Sequence, residues 1–242
     1  MKASVLLLIV ASTVCAQNRT APTSLIPSDQ SRLPGIGEGI SLRELLVPPK
    51  AVKELQRSQS ALRSGDTRSS ARHLEKALQI YPNYLEGHNS LGARYIELGE
   101  YEKAAAEFQK AIEIDARVSQ PFNNLSVADY LLRLYSDAET AARRAMDLDP
   151  RSSTPRYVLG CILAAAGRNA IESIEMLRQT ESEFPDARLV LAEVLLRRGS
   201  REEAKEELRS YLALPSPEKK QRVERWLARL TTADRLAQSP TP

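Results

Sequence analysis

The sequence predicts an all-α solenoid, in which short pairs of helices are stacked one after another. Aromatic residues make up only 5% of the 242 residues, and alanine, leucine, arginine and glutamate are abundant, a composition that favours helices over sheets. Glycine, leucine and alanine also recur at a fixed interval of 34 residues. A fixed interval of this length is typical of repeat architectures, so both observations lead to the same fold class.

The interval of 34 residues is visible in several independent columns of the sequence. The columns are Gly65, Gly99, Arg133 and Gly167; Leu91, Leu125 and Leu159; and Ala77, Ala111 and Ala145. Because each column keeps the same period, we interpret the chain as a series of equivalent units rather than as one or two compact domains.

Each unit is expected to contain two amphipathic helices. In residues 85–116, apolar side chains that include Tyr95 recur at helical spacing until Gly99, which can adopt the left-handed conformation that ends a helix. A second apolar stripe that includes Phe108 follows. The small Gly92 is expected to let the two helices approach closely.

Prolines are expected where the second helices end. These prolines are Pro82, Pro150, Pro185 and Pro215. The fifth unit starts directly after Pro185, so we expect a shortened connecting loop there. Arg133 stands where the other units have glycine, so we expect a different turn in the third unit.

The pattern resembles the tetratricopeptide repeat, whose unit has 34 residues. The best match is residues 85–118, in which the characteristic positions are held by His88, Leu91, Gly92, Tyr95, Ala104, Phe108, Ala111 and Ala116. The resemblance implies a solenoid domain over 47–236, with repeats near 51–84, 85–118, 119–152, 153–185 and 186–215. The chain is also similar to secreted and periplasmic bacterial proteins of this class.

A C-terminal capping helix is predicted over 217–234. Ser216 is a suitable N-cap, and Pro217 is favourable at the first helical position. The apolar stripe that contains Trp226 would cover the end of the array while polar residues face water. Residues 237–242 are expected to be a disordered tail.

The first sixteen residues have the pattern of a secretory signal peptide. A basic start at Lys2 is followed by an apolar run and by small residues before a cut predicted after Ala16. The run is too short for a membrane helix, which needs about 20 residues. Residues 17–46, rich in Pro, Ser and Gly, are expected to be a disordered linker. We therefore expect a secreted or periplasmic protein without an integral membrane span in the mature chain.

Cys15 leaves open a lipid-anchored alternative, in which the cysteine becomes the acylated first residue. Val14 fits that signal poorly, since glycine, alanine or serine usually precedes the lipidated cysteine. If the signal peptide is removed, Cys161 is the remaining cysteine, and we expect it to be a small buried hydrophobic residue.

No catalytic, cofactor-binding or metal site is predicted. His73 and His88 belong to different helices and stand near no nucleophile motif; we expect His88 to be buried and His73 to be solvated. The glycine-rich segment 34–39 lacks the strand and helix that a phosphate-binding loop requires. The 34 basic and 31 acidic residues nearly cancel, so nucleic acid is not expected as a partner.

The resemblance implies a concave groove lined by the first helix of each repeat. The residues predicted to contact a partner there are Asn89, Ile96, Asn123, Val127, Tyr130, Leu131 and Tyr157. Amides can donate and accept hydrogen bonds to a peptide backbone, and tyrosines offer apolar area with a hydroxyl. The alternative is that Val127, Tyr130 and Leu131 pack inside the protein.

The function predicted from the sequence is therefore that of an exported, non-catalytic scaffold that binds a peptide or protein partner in the groove. Three alternatives remain open. The first is a lipid-anchored envelope assembly factor, the second is a self-associating repeat protein, and the third is an enzyme that uses His88.

Overall fold

The computed structural model describes residues 47–215 and 219–238. The regular secondary structure of these residues consists of eleven helices: α1 (Pro49–Arg63), α2 (Thr67–Ile80), α3 (Leu85–Leu98), α4 (Tyr101–Ile114), α5 (Ser119–Leu131), α6 (Tyr135–Leu148), α7 (Ser153–Ala166), α8 (Ala170–Arg178), α9 (Ala187–Arg197), α10 (Arg201–Leu212) and α11 (Lys220–Gln238). The first ten pack as five consecutive pairs, which we number as repeats one to five. The predicted all-α fold is confirmed.

The helices divide between two compact units. Among the described residues, the first unit ends at Asp149 and contains α1 to α6, and the second begins at Pro150 and contains α7 to α11. None of the helices in the described ranges is both long and apolar enough to cross a membrane. The predicted signal peptide, Cys15 and the linker 17–46 lie outside the described residues.

Glycines inside helices bring the two helices of a repeat together. A Cβ atom on Gly92 of α3 would lie only 2.5 Å from Cε1 of Phe108 on α4, and that phenylalanine is fully buried. In the second unit, a Cβ on Gly160 of α7 would lie 2.8 Å from Cγ of Leu177 on α8. The predicted close approach at Gly92 is therefore confirmed, and Gly160 provides a second instance.

A residue with positive φ follows the first helix in all five repeats, and the fourth repeat has a second such residue, Asn169, with φ of 47°. The turn residues have positive φ: 80° at Gly65, 77° at Gly99, 63° at Arg133, 67° at Gly167 and 84° at Gly199. At Gly99 the backbone N–H donates to the carbonyl of Ile96 at 3.1 Å, and the next N–H, of Glu100, donates to Tyr95 at 2.8 Å. These bonds satisfy carbonyls at the end of the first helix.

The expectation of a different turn at Arg133 is wrong. Its N–H donates to the carbonyl of Tyr130 at 3.0 Å, and that of Leu134 donates to Asp129 at 2.8 Å, the same pattern as at Gly99. The turn bonds and the packing of α5 with α6 hold the backbone left-handed, although this conformation is unfavourable for a residue with a side chain. The exposed arginine side chain needs no room in the core.

Three of the four predicted prolines lie shortly after the end of a second helix, and the proline of the fourth repeat does not. The helices α2, α6 and α10 end shortly before Pro82, Pro150 and Pro215, as predicted. In the fourth repeat, α8 already ends at Arg178, well before Pro185. The loop 179–186 is therefore longer than the shortened connection that the sequence suggested.

The early end of α8 has a local cause. The hydroxyl of Thr180 donates to the carbonyl of Leu177 at 2.9 Å, and the carbonyl of Thr180 accepts from the N–H of Phe184 at 2.8 Å. The Phe184 ring then stacks on Tyr157 of α7, with ring centroids 4.5 Å apart. The loop is thus fixed by its own hydrogen bonds and by an aromatic contact.

The last helix, α11, packs on the apolar core of the fifth repeat. Its Val223 is 1% exposed and contacts a cluster that contains Leu208 and Tyr211, and Trp226 packs at the edge of the same cluster. The predicted helix start at Ser216 and Pro217 lies outside the described residues. The packing agrees with a helix that covers the apolar end of a repeat array.

Candidate functional site

All seven residues predicted to contact a partner are buried. Asn89 and Ile96 are on α3, Asn123, Val127, Tyr130 and Leu131 are on α5, and Tyr157 is on α7. Their exposed fractions run from 0% for Val127 to 7% for Leu131. In this structure the seven side chains are enclosed, and their contact with a partner stays a prediction.

Two amide side chains join α3 to α5. Nδ2 of Asn124 donates to Oδ1 of Asn89 at 2.8 Å, so a predicted site residue is linked to a neighbour that the sequence analysis had not selected. Asn124 is fully buried, and its own Oδ1 has no hydrogen-bond partner among the described residues. A buried acceptor without a donor costs free energy, and an amide oxygen can accept two hydrogen bonds.

The signal for Asn124 was present in the sequence but was not used. It directly follows Asn123, and it lies one residue beyond the repeat interval from Asn89. The family assigns the same groove positions to every repeat. This hydrogen bond instead joins two different positions in adjoining repeats.

Tyr157 belongs to the second unit and has a packing role there. Its ring is 1% exposed and nearly parallel to that of Phe184, with an interplanar angle of 6°. Cys161, one turn further along α7, is fully buried, and burial raises the pKa of its thiol. The expectation that Cys161 behaves as a small buried hydrophobic residue is confirmed.

His88 is buried, as predicted, and both of its ring nitrogens face oxygen acceptors. Nδ1 lies 2.6 Å from a carboxylate oxygen of Glu107, and Nε2 lies 2.8 Å from the carbonyl of Pro82. Both nitrogens can donate at once only in the imidazolium form. Burial opposes ionisation of Glu107, but hydrogen bonds from His88 and Lys110 outweigh it and lower the pKa of Glu107.

His73 was predicted to be solvated, but in the structure its ring is hydrogen-bonded. Its Nδ1 lies 2.8 Å from Oε2 of Glu54, so the histidine links α2 to α1 of the first repeat. The hydrogen bond from His73 is the main cause that lowers the pKa of Glu54. Sequence spacing could not reveal the pair, because the two residues come from different helices.

A cleft of about 900 Å³ opens between α2, α3 and α4. Several of its polar side chains are paired with one another: the Tyr95 hydroxyl donates to Glu75 at 2.7 Å, and Lys110 donates to Glu107 at 2.8 Å. Burial, together with the bond to Glu75, raises the pKa of Tyr95. Within the described ranges, no three His, Cys, Asp or Glu side chains are grouped to hold a metal ion.

The comparisons with known proteins agree with this geometry. The family model described as Tetratricopeptide repeat matches residues 85–117. No curated protein matches the chain.

Several solved structures are similar. A thermophilic repeat protein from Thermus thermophilus has a TM-score of 0.61 at 19% identity, covering 75% of this chain and 99% of that chain. MamA from Desulfovibrio magneticus RS-1 has a TM-score of 0.61 at 19% identity, covering 74% and 97%. YrrB, described as having an unusual peptide-binding site, has a TM-score of 0.57 at 18% identity, covering 76% and 92%. At these identities the likeness shows the fold.

Proposed function

Because the chain is a tetratricopeptide repeat protein, we propose that it is a non-catalytic scaffold that holds a peptide or protein partner against α3 and α5. The observation that supports this site best is Asn124, whose buried Oδ1 has no donor among the described residues. A backbone N–H of an extended partner segment supplies such a donor. The neighbouring Asn89 then orients Asn124, since the two amides are already hydrogen-bonded.

The predicted contact residues on α3 and α5 favour an apolar partner segment. Ile96, Val127 and Leu131 offer aliphatic area, whereas strongly charged side chains are absent from the seven predicted contact residues. Association through such a surface depends on burial of apolar area and little on salt. Because the seven residues are enclosed in the structure, partner binding includes the opening of this face.

Site-specific photo-crosslinking tests where the partner binds. p-Benzoylphenylalanine is placed at Gln120, an exposed residue at the start of α5, about one helical turn before Asn123 and Asn124. The matched control is Gln109, an exposed glutamine on α4. We expect one discrete adduct from Gln120 in the cells that produce the full chain, identified by mass spectrometry, and none from Gln109. Equal adducts from both positions would contradict the proposed face.

We also propose that the chain is exported, with the cut after Ala16. The support is the signal peptide pattern of residues 1–16 in the sequence. Intact-mass and N-terminal analysis of the protein from its own cells should find Gln17 as the first residue. A diacylated Cys15 would instead establish the lipid-anchored alternative, and an uncut Met1 would contradict export.

A further inference from the structure

The side of α5 that is proposed to hold a partner is covered, although its residues belong to the groove positions of the family. Val127 is 0% exposed, and Leu131, one turn further along the helix, is 7% exposed. All six residues of 126–131 are buried, and six consecutive residues cover the whole circumference of a helix. By contrast, every turn of α6 has exposed residues. The chain itself therefore encloses this side of α5.

The described contacts of α5 with α3 and α6 lie to either side of Val127. On one side Asn124 donates to Asn89 of α3, and on the other the ring of Tyr130 lies 6.0 Å from that of Tyr135 of α6. Val127 projects between these two directions, at about 60° from each. Asn89 and Tyr130 also have interactions besides these two. A further segment of the chain is needed in front of Val127.

Residues 17–46 form a segment that is long enough to supply this cover. Outside the described ranges, the chain otherwise has the expected signal peptide 1–16 and the short pieces 216–218 and 239–242. Thirty extended residues span up to about 100 Å, whereas two helix spacings, from α1 to α5, are roughly 20 Å. Only two residues separate the end of the segment from Pro49, the first residue of α1.

The composition of residues 17–46 suits the covered surface. The segment has eight leucine and isoleucine residues, and its three arginines balance its two glutamates and one aspartate. Ile96, Val127 and Leu131 are apolar as well, so burial of the segment against them is favourable. The apolar residues are densest at the end of the segment, where Ile40, Leu42, Leu45 and Leu46 fall within seven positions.

We propose that residues 17–46 occupy the partner face, by which we mean the side of α3 and α5 that carries Asn89, Asn124 and Val127. Leu42 and Leu45 are the apolar anchors, and a partner has to displace them. This inference rests on the proposed function, which defines the partner face. A tethered segment has an effective concentration of roughly millimolar, so a weak intrinsic affinity is enough to keep the face closed.

Photo-crosslinking within the purified full chain tests the cover without any partner. p-Benzoylphenylalanine at Leu42 keeps this position apolar. We expect illumination to join it to residues of α3 or α5 in the same chain, as identified by mass spectrometry. The control position is Gln109, an exposed residue of α4, which should give no such link. Links between two chains, links from Leu42 to other helices alone, or the absence of any link would overturn the proposal.

A pair of charge substitutions tests the competition with the partner. Leu42→Asp with Leu45→Asp places two carboxylates against an apolar surface, which is costly, so the segment should leave the face. The concentration of the crosslinked partner segment that gives half-maximal adduct from Gln120 should then fall about tenfold or more. The matched control is Ile80→Asp with Leu134→Asp, the same change at two exposed aliphatic residues. It should change this concentration less than twofold.

The two experiments separate failure of this inference from failure of the proposed function. If Leu42 links to α5 but the double variant leaves the half-maximal concentration unchanged, the segment covers the face and the partner binds elsewhere, so the proposed function is wrong. If Leu42 gives no link and the Gln120 adduct still forms, the cover is refuted and the proposed partner face stands.

Discussion

Arg133 occupies the position of Gly99 in the next repeat and adopts the same left-handed backbone, with φ of 63° against 77°. The two turns also share their hydrogen bonds, from the turn residue and from the residue after it. An arginine thus adopts a backbone conformation that favours glycine. The free-energy cost of this conformation can be measured.

Arg133→Gly should stabilise the protein. A residue with a Cβ in the left-handed region costs about 1 kcal/mol or more, and glycine's greater entropy in the unfolded chain offsets part of the gain. We expect the free energy of unfolding in urea to rise by about 0.5–1 kcal/mol. The reverse change, Gly99→Val, should lower it by about 1 kcal/mol or more. No atom lies within 4 Å of a Cβ built at Gly99, so the Cβ itself meets no obstacle and the left-handed backbone is the expected source of the loss. Unchanged stability in both variants would contradict the assigned turn.

Gly92→Ala should destabilise the second repeat for a different reason, namely the lack of space. Its Cβ would meet the Phe108 ring at 2.5 Å inside a filled core, and overpacking of this kind costs about 1–3 kcal/mol. Phe108→Leu combined with Gly92→Ala should relieve part of the strain. The double variant should therefore lose less stability than the sum of the losses of the two single variants. Additive losses in thermal unfolding would show that the two side chains do not meet.

Asp129 should make the stability of the first unit depend on pH. Burial raises its pKa to about 6 in the folded chain from an ordinary value of 3.8, so the folded state binds the proton more tightly than the unfolded state does. The stabilisation is complete below about pH 4 and is lost as the pH rises through 6. The free energy of unfolding of Asp129→Asn should therefore rise relative to that of the unmodified chain between pH 4 and pH 8, by on the order of 1–2 kcal/mol. Asp147→Asn is the control at an exposed acid of α6 and should show no such trend. A stability difference between Asp129→Asn and the unmodified chain that does not change with pH would disprove the raised pKa.

The amide pair should behave as a coupled unit. Asn124→Leu removes the hydrogen bond to Oδ1 of Asn89 and should cost about 1–3 kcal/mol, because a buried amide loses this bond. Asn89→Leu combined with Asn124→Leu removes both polar groups and should cost less than the two single changes together. A double-mutant cycle by urea unfolding measures the coupling, and a coupling of zero would exclude the hydrogen bond.

The repeat period was predictable because packing in a solenoid is local. Gly92, Phe108 and the turn at Gly99 lie within one unit of 34 residues, so their spacing alone defined the helix pair. The loop after α8 was not predictable in the same way. It depends on the hydroxyl of Thr180 and on the stacking of Phe184 on Tyr157, contacts that run between segments outside the repeat pattern.

The helices that carry the predicted contact residues could be predicted from the sequence, but the contacts of these residues could not. The sequence located an amide at Asn89 on the first helix of a repeat, and the structure has that side chain in a hydrogen bond with Asn124. Family positions could not show that all seven selected residues would be buried. Burial depends on which other parts of the chain pack against these residues. The pairing of His73 with Glu54 escaped prediction for the same reason.

Calorimetry with the segment identified by the Gln120 crosslink tests whether the partner reaches the amide pair between α3 and α5. The segment is titrated into the unmodified full chain and into Asn124→Leu, with circular dichroism to verify that both are folded. We expect Asn124→Leu to weaken binding about tenfold or more, since the partner's backbone N–H loses its acceptor. An unchanged affinity in the folded variant would contradict it.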